Sequence, residues 1–313
     1  MHTDSSQSDR STRPAGYDLP VTTEMSRAVL VTGCSTGIGR ATAAMLVRSG
    51  WPVYATARDV GSLSELTELG CRALRLDVTD EESLRAAVDV VVGDHGAVGA
   101  LVNNAGYSQS GAVETVPLAD ARRQFDTNFF GPARLTQLVL PGMRAQCWGK
   151  VVNIGSMGGR LTFPGGGYYH ATKYALEALS DALRFEVAGF GVDVVLVEPG
   201  FIRSDFSDTA ASALESADTD SGATAAEPYR SFTAGVLAST RHVYDRGPMS
   251  RLGGNPDDVA RVVLGAITTS RPKARYPVTP SARLLLGLRA VLPDRAWDAF
   301  LARKFVQPGS NGG

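Results

Sequence analysis

From Arg27 onward, short apolar runs alternate with longer stretches in which apolar residues recur every three or four positions. RAVLVTG is such a run and ends in a glycine, and the segment from Ile38 to Ser49 behind it has helical spacing. PVYATAR, CRALRLDV, GALVNNAG, GKVVNIGS and VDVVLVEPG are further runs of strand length. Between them lie SLSELTEL, EESLRAAVDVVVGDH, LADARRQFDTNFFGPARLTQLVLPGMRAQ and YYHATKYALEALSDALRFEVAGF, which read as helices. Continuous Val- and Leu-rich runs suit strands covered on both faces. Their alternation with amphipathic helices predicts an α/β fold, a doubly wound parallel sheet with helices on both sides. NPDDVARVVLGAITTS adds a helix started by Asn255 before Pro256, and RYPVTP adds a last short strand.

Three segments break this rhythm. Residues 1–26 are rich in Ser, Thr, Asp and Pro, without the apolar core of a signal peptide. They read as a disordered extension of a cytoplasmic protein. Residues 205–250 are small, polar and acidic over much of their length, too long for a plain connection, and read as a substrate lid. Residues 281–313 form a basic amphipathic tail broken at Pro293, too interrupted for a membrane span. A helix pair docked over the substrate side, an oligomer contact and a membrane-surface contact all stay open for it. One domain is therefore expected at 27–280.

Charge narrows the function classes. In 313 residues, 31 Lys+Arg oppose 32 Asp+Glu for a net −1, which offers nucleic acid or an anionic membrane no electrostatic attraction. Three cysteines without paired spacing and four histidines give neither a disulfide framework nor a metal-centred mechanism. Cys34, within the first glycine turn, reads as a small turn residue.

Two places carry chemistry. VLVTGCSTGIGR sets Gly33, Gly37 and Gly39 between a strand and a helix. Glycines there permit a tight turn, close backbone approach to a pyrophosphate and close helix–strand packing. The spacing differs from the general dinucleotide fingerprint, and a plain tight turn is the alternative. Farther on, Tyr169 and Lys173 stand four residues apart, on one face of a helix. An adjacent ammonium lowers a phenol's pKa, so this pair can hand a proton to a carbonyl or take one from an alcohol. Tyr168 competes with Tyr169, but its partner four residues on is Thr172, not a cation.

TGCSTGIG (32–39), LDV (76–78), NNAG (103–106), Asn128, Ser156, YHATK (169–173) and PGFIRS (199–204) occur in an order that resembles the short-chain dehydrogenase/reductase family. VYATARDV, IGSMGGR and EPGFIRSDF are most similar to its hydroxysteroid and retinol dehydrogenase-like branch. The resemblance implies a single Rossmann-like domain of about seven strands, in which Ser156 binds the substrate oxygen and Tyr169 is the general acid/base. It implies that Lys173 holds the nicotinamide ribose and that Asn128 serves a proton relay, with a helix-kinking amide as the plain alternative. Gly33, Ser35, Thr36, Gly37, Ile38, Gly39, Asn104, Ala105, Gly106, Pro199, Gly200, Ile202 and Ser204 would line the cofactor. Asp77 and Val78 would meet its adenine, unless Asp77 only caps the next helix, while Asn103 serves either the turn or the sheet.

The second strand ends in Ala57 and Arg58 where an acidic residue would select NAD, so NADP(H) is expected, with Asp59 pointing elsewhere. Met157, Gly158, Gly159, Phe163, Phe201 and the lid would wall a pocket for a hydrophobic ketone or secondary alcohol, steroid- or retinoid-like. A ketoreductase of acyl or polyketide intermediates is the alternative, with Arg241, Arg246 and Arg251 as a basic mouth. A non-catalytic NADP-binding sensor is the remaining one. Homodimers or homotetramers through helices around 121–146 and 169–188 complete the expectation, with no metal.

Overall fold

A computed structural model of the chain describes residues 25–203, 227–245 and 251–309. Seven strands, β1 (Val29–Val31), β2 (Val53–Ala57), β3 (Arg72–Arg75), β4 (Ala100–Asn103), β5 (Gly149–Ile154), β6 (Val192–Glu198) and β7 (Arg275–Pro277), form one sheet ordered β3-β2-β1-β4-β5-β6-β7. All neighbours are parallel, and Leu30 sits between Tyr54 and Leu101. The strand order turns back between β1 and β4, which opens a crevice at their carboxyl ends.

Strand periodicity sorts the core into two layers. Val29 and Val31 face α1 (Gly37–Arg48) and a later helix that supplies Val259 and Val263. Leu30 and Leu101 face α3 (Glu81–His95), with Val88 and Val91, and α5 (Gly131–Ala145), with Leu135 and Val139. Each such aliphatic side chain contributes roughly 1.5–3 kcal/mol on burial. The expected helix at SLSELTEL begins as a 3-10 turn, Val60–Leu63, before α2 (Ser64–Glu68). Asp80, not Asp77, caps α3, its Oδ1 accepting from the N–H groups of Glu82 and Ser83.

The long helix expected at 118–146 is interrupted. After α4 (Leu118–Phe125) comes a widened π turn, Asp126–Phe130, and only then α5. Such turns recur at functional sites, and this one carries Asn128. The remaining helices are α6 (Gly167–Val187), α7 (Arg230–Asp245), α8 (Pro256–Thr268), α9 (Pro280–Val291) and α10 (Asp294–Ala302). Asn255 and Asp258 close a reciprocal cap on α8.

The segment expected as a small polar lid contains α7, a 16-residue helix. Its Phe232 and Val236, four residues apart, bury against Ala112. Most of the remaining lid, the extension at residues 1–24, Ser204 and Arg246 lie outside the described residues. The tail docks against the segment that follows β5, where Leu285, Leu286 and Trp297 pack against Met157 and Leu161. Among the described residues no helix is long and apolar enough to cross a membrane, and no cluster of His, Cys, Asp or Glu is arranged for a metal.

Candidate active site

At the crevice between β1 and β4 lies a cleft of about 950 Å³. The glycine turn forms one end because only glycine fits there. Gly33 has φ +70° and Gly37 has φ +57°, in the left-handed region. A Cβ on Gly39 would stand 2.2 Å from the Gly33 carbonyl oxygen and 2.4 Å from Asn104 Nδ2. Asn104 pins the turn, its amide donating to the carbonyls of Thr32 (2.8 Å) and Gly33 (3.0 Å). Asn103 does other work: its amide donates to Asn153 Oδ1 and Thr136 Oγ1 inside the sheet. Cys34 is fully buried and desolvation pushes its thiol up to about 12, so it is an inert filler of the turn.

The turn's outer rim is polar. Ser35, Thr36 and Arg58 line it, and among the described residues the exposed Arg58 makes no ion pair. Asp59 turns away, its Oδ1 accepting from Gly61 N–H at 2.9 Å. Asp77 Oδ1 accepts from the N–H and the hydroxyl of Thr79. Partial burial works to raise this carboxyl, but the Thr79 bonds and the charges of Arg58 and Arg75 hold it below its ordinary value. These features fit a dinucleotide phosphate: a side-chain-free backbone cradle, hydroxyls at its edge and one exposed guanidinium.

The other expected side chains converge in the middle of the same cleft. Ser156 ends the segment after β5, and its Oγ accepts from Gly158 N–H at 3.0 Å. Tyr169 and Lys173 rise from the first turns of α6. The Tyr169 phenol hydrogen-bonds Ser156, and burial pushes it up to about 12 against that bond. Lys173 is buried, and its Nζ donates to the Ile154 carbonyl at 2.8 Å, 5.9 Å from the Tyr169 ring centroid. Desolvation brings the ammonium down to about 8. The expected lowering of the phenol by Lys173 is therefore not what the protein alone produces. At neutral pH Tyr169 keeps its proton, the form that can donate one.

Asn128 stands behind these groups and off the cleft wall. Its Oδ1 accepts from Tyr107 N–H at 3.1 Å, while Nδ2 donates to the Tyr107 carbonyl at 2.9 Å and to Thr172 Oγ1 at 3.1 Å. The amide thus ties the π turn to both the 104–107 loop and α6. Tyr168 does not line the cleft.

Apart from Gly39, Asn128 and Gly159, every residue expected to act in catalysis, bind the cofactor or wall the pocket, and lying among those described outside the lid, lines this cleft. Its far end is built around aromatic side chains. Phe163 stacks on Phe201 with centroids 6.3 Å apart, and Phe305 of the tail lies 6.3 Å from Phe163. Val236, Ser239 and Thr240 of α7 complete that end. These α7 residues belong to the 205–250 segment expected to wall the pocket, though none of them was singled out, and sequence reasoning missed Phe305 and His170. The helical pair Phe232 and Val236 was the available signal for α7, whereas nothing local marked the other two. Arg241 and Arg251 do not line the cleft.

A family model described as short chain dehydrogenase matches residues 27–215. The chain is 34% identical over 278 residues to the "Uncharacterized oxidoreductase YbbO" of Escherichia coli (strain K12), covering 88% of this chain and 94% of that one. It is 32% identical to "Retinol dehydrogenase 8" of Bos taurus, covering 86% of each. It is also 32% identical to the "NADPH-dependent 3-dehydrocapnine reductase" of Ornithobacterium rhinotracheale, covering 87% and 95%. Among solved structures, a short-chain dehydrogenase from Streptomyces avermitilis superposes with a TM-score of 0.70 at 32% identity, covering 89% of this chain and 96% of that one.

Proposed function

The chain belongs to the short-chain dehydrogenase family, and from that premise we propose that it is an NADP(H)-dependent oxidoreductase of hydrophobic ketones and secondary alcohols, steroid- or retinoid-like in character. One observation carries the reading: Ser156, Tyr169 and Lys173 meet in a single cleft between a phosphate cradle and an aromatic pocket. Arg58 and the absence of a carboxylate at Ala57 support NADP over NAD. The NADPH dependence in one relative's name supports the same choice. Phe163, Phe201, Phe305 and Val236 support an apolar substrate, which would be oriented by shape and by its one polar oxygen.

In this reading the bound dinucleotide supplies the hydride. Ser156 donates a hydrogen bond to the carbonyl oxygen, and Tyr169, protonated at neutral pH, delivers the proton as charge builds on that oxygen. Lys173, anchored on the Ile154 carbonyl, would hold the ribose beside the phenol. Asn128 fixes α6 against the 104–107 loop, so the phenol and the cradle keep their spacing.

The test is oxidation of NADPH or NADH against a panel of steroid, retinoid, aliphatic and acyl-thioester ketones, with Tyr169→Phe alongside. The expected result is NADPH-dependent reduction of an apolar ketone. Tyr169→Phe should lower it by about 10²–10⁴-fold, the usual contribution of a general acid, with cofactor affinity retained. Wild-type rates in the variant would overturn the assignment of Tyr169.

A further inference from the structure

His170 follows Tyr169 on α6, lines the cleft, and has no part in the proton transfer just described. Its ring is buried, and both nitrogens are engaged by backbone. Nε2 lies 3.1 Å from the Phe163 nitrogen and Nδ1 lies 2.9 Å from the Gly158 carbonyl oxygen. A backbone N–H can only donate and a carbonyl can only accept, so the ring is fixed as the neutral tautomer with its proton on Nδ1.

The two peptides it joins matter. Gly158 is the residue whose N–H donates to Ser156 Oγ, so the peptide that orients that hydroxyl is followed directly by the carbonyl that His170 grips. Phe163 is the centre of the aromatic wall, stacked on Phe201 and flanked by Phe305. Between them runs the loop that leads from Ser156 into α6. The surroundings are shaped to the ring: a Cβ on Gly158 would stand 2.6 Å from Nδ1 and 2.9 Å from Cε1, and one on Gly166 would stand 3.0 Å from Nε2. Glycine at 158 is thus required by the imidazole. Apart from the ring, the nearest atom to that Cβ is Ser156 Oγ at 3.2 Å.

We propose that His170 is a positioning residue for substrate recognition, a neutral imidazole crosslink that sets the Ser156 hydroxyl and the Phe163 wall at a fixed spacing around the ketone. The proposal rests on the reading of the site given above. Gly158 and His170 then act as one unit, and each half of the crosslink serves a different kinetic quantity. The Gly158 half aims Ser156 at the carbonyl oxygen and acts mainly on kcat. The Phe163 half holds the apolar wall and acts mainly on KM.

The experiment is a double-mutant cycle of Gly158→Ala and His170→Ala, with His170→Asn as the conservative variant. Thermal midpoints are read on the protein alone, and kcat and KM on the best ketone of the panel with NADPH. Gly158→Ala should destabilise the protein and lower kcat/KM by about 10- to 100-fold, because its methyl meets a buried ring that is held on both sides. In the His170→Ala background the same methyl should cost much less, since of its three nearest contacts only that with Ser156 Oγ, at 3.2 Å, is left. His170→Asn can still donate to the Gly158 carbonyl but leaves the Phe163 N–H unpaired. It should recover most of kcat relative to His170→Ala while KM stays raised, with NADPH affinity unchanged throughout. Additive thermal losses would overturn the crosslink, whatever the site does. Wild-type kcat and KM in His170→Ala, with only a lowered midpoint, would overturn the positioning role. Wild-type protein that reduces no ketone of the panel would overturn the reading of the site instead, and the thermal cycle would still report on the crosslink.

Discussion

Arg58 gives the sharpest test of how the cofactor is chosen. Its guanidinium stands exposed at the rim of the phosphate cradle, directly after β2, with Ser35 and Thr36 across the turn. A hydrogen bond to a charged partner contributes roughly 1.5–3 kcal/mol, and each 1.4 kcal/mol is about tenfold in affinity. The full range therefore spans about 12- to 140-fold. An exposed guanidinium is screened by salt, which places the expected value near the bottom, at about 10- to 30-fold. Arg58→Ala should weaken NADPH binding by that factor in a fluorescence titration and leave NADH within about twofold, and the loss should shrink at high salt. Ala57→Asp, which puts a carboxylate where a ribose hydroxyl would lie, should turn the preference toward NADH. An equal loss of both nucleotides on Arg58→Ala, or no loss of either, would refute the argument. Arg58 would then be a surface charge, and the cradle's hydroxyls would carry the phosphate.

Two further outcomes follow from groups that do not touch substrate. Gly39→Ala would drive a methyl into the Gly33 carbonyl, which is backbone and cannot turn aside. Overpacking of this kind costs roughly 1–3 kcal/mol or more, so a lowered melting midpoint and a weakened NADPH titration should appear together. Glu177, buried one turn beyond Lys173, has its carboxyl pushed up to about 7 by burial and by the nearby Glu198, against the pull of Arg275 and Arg160. A folded-state value above the unfolded one means that this group's stabilisation is complete below the unfolded value and is lost as pH rises through about 7. Urea midpoints measured from about pH 5 to about pH 8 should fall less steeply for Glu177→Gln than for wild type, and an unchanged slope would show that the carboxyl does not titrate there.

The parts of this molecule that were legible in its sequence share a physical origin. β1, β4, β5 and β6 are covered on both faces, so they had to be continuous in Val and Leu, and a continuous apolar run is visible without any partner. The glycine turn was legible for a related reason: Gly33, Gly37 and Gly39 are dictated by backbone geometry, which is local. The π turn at Asp126–Phe130 was not, because it changes the winding of a helix without changing its apolar spacing. Asp77 and Asp80 both precede α3, and only the backbone turn at Thr79 decides which one caps it. His170 was invisible for a different reason. Its partners, Gly158 and Phe163, lie twelve and seven residues away, in a loop whose shape the ring itself maintains. Phe305 was harder still, since its neighbours come from α7 and from the loop before α6.

That contrast divides the cleft into two regimes of evolution and design. The end proposed to hold the cofactor is made of backbone, glycines and side chains within a few residues of the strand ends, so a change there meets carbonyls and amides that cannot move. The aromatic end of the cleft includes Phe163, Phe201, Val236 and Phe305, brought together from four separate stretches of chain. An aromatic contact of that kind can be exchanged without disturbing the sheet, because none of the four belongs to a strand. Ser156, Tyr169 and Lys173, the groups proposed for proton transfer, lie between the two ends, and His170 joins the Ser156 segment to the aromatic wall through its two backbone hydrogen bonds. A substrate pocket rebuilt through α7 and the tail would therefore keep the Ser156 geometry as long as this ring keeps both of its backbone partners, and it would lose that geometry when the Phe163 loop is redrawn to suit a larger ketone.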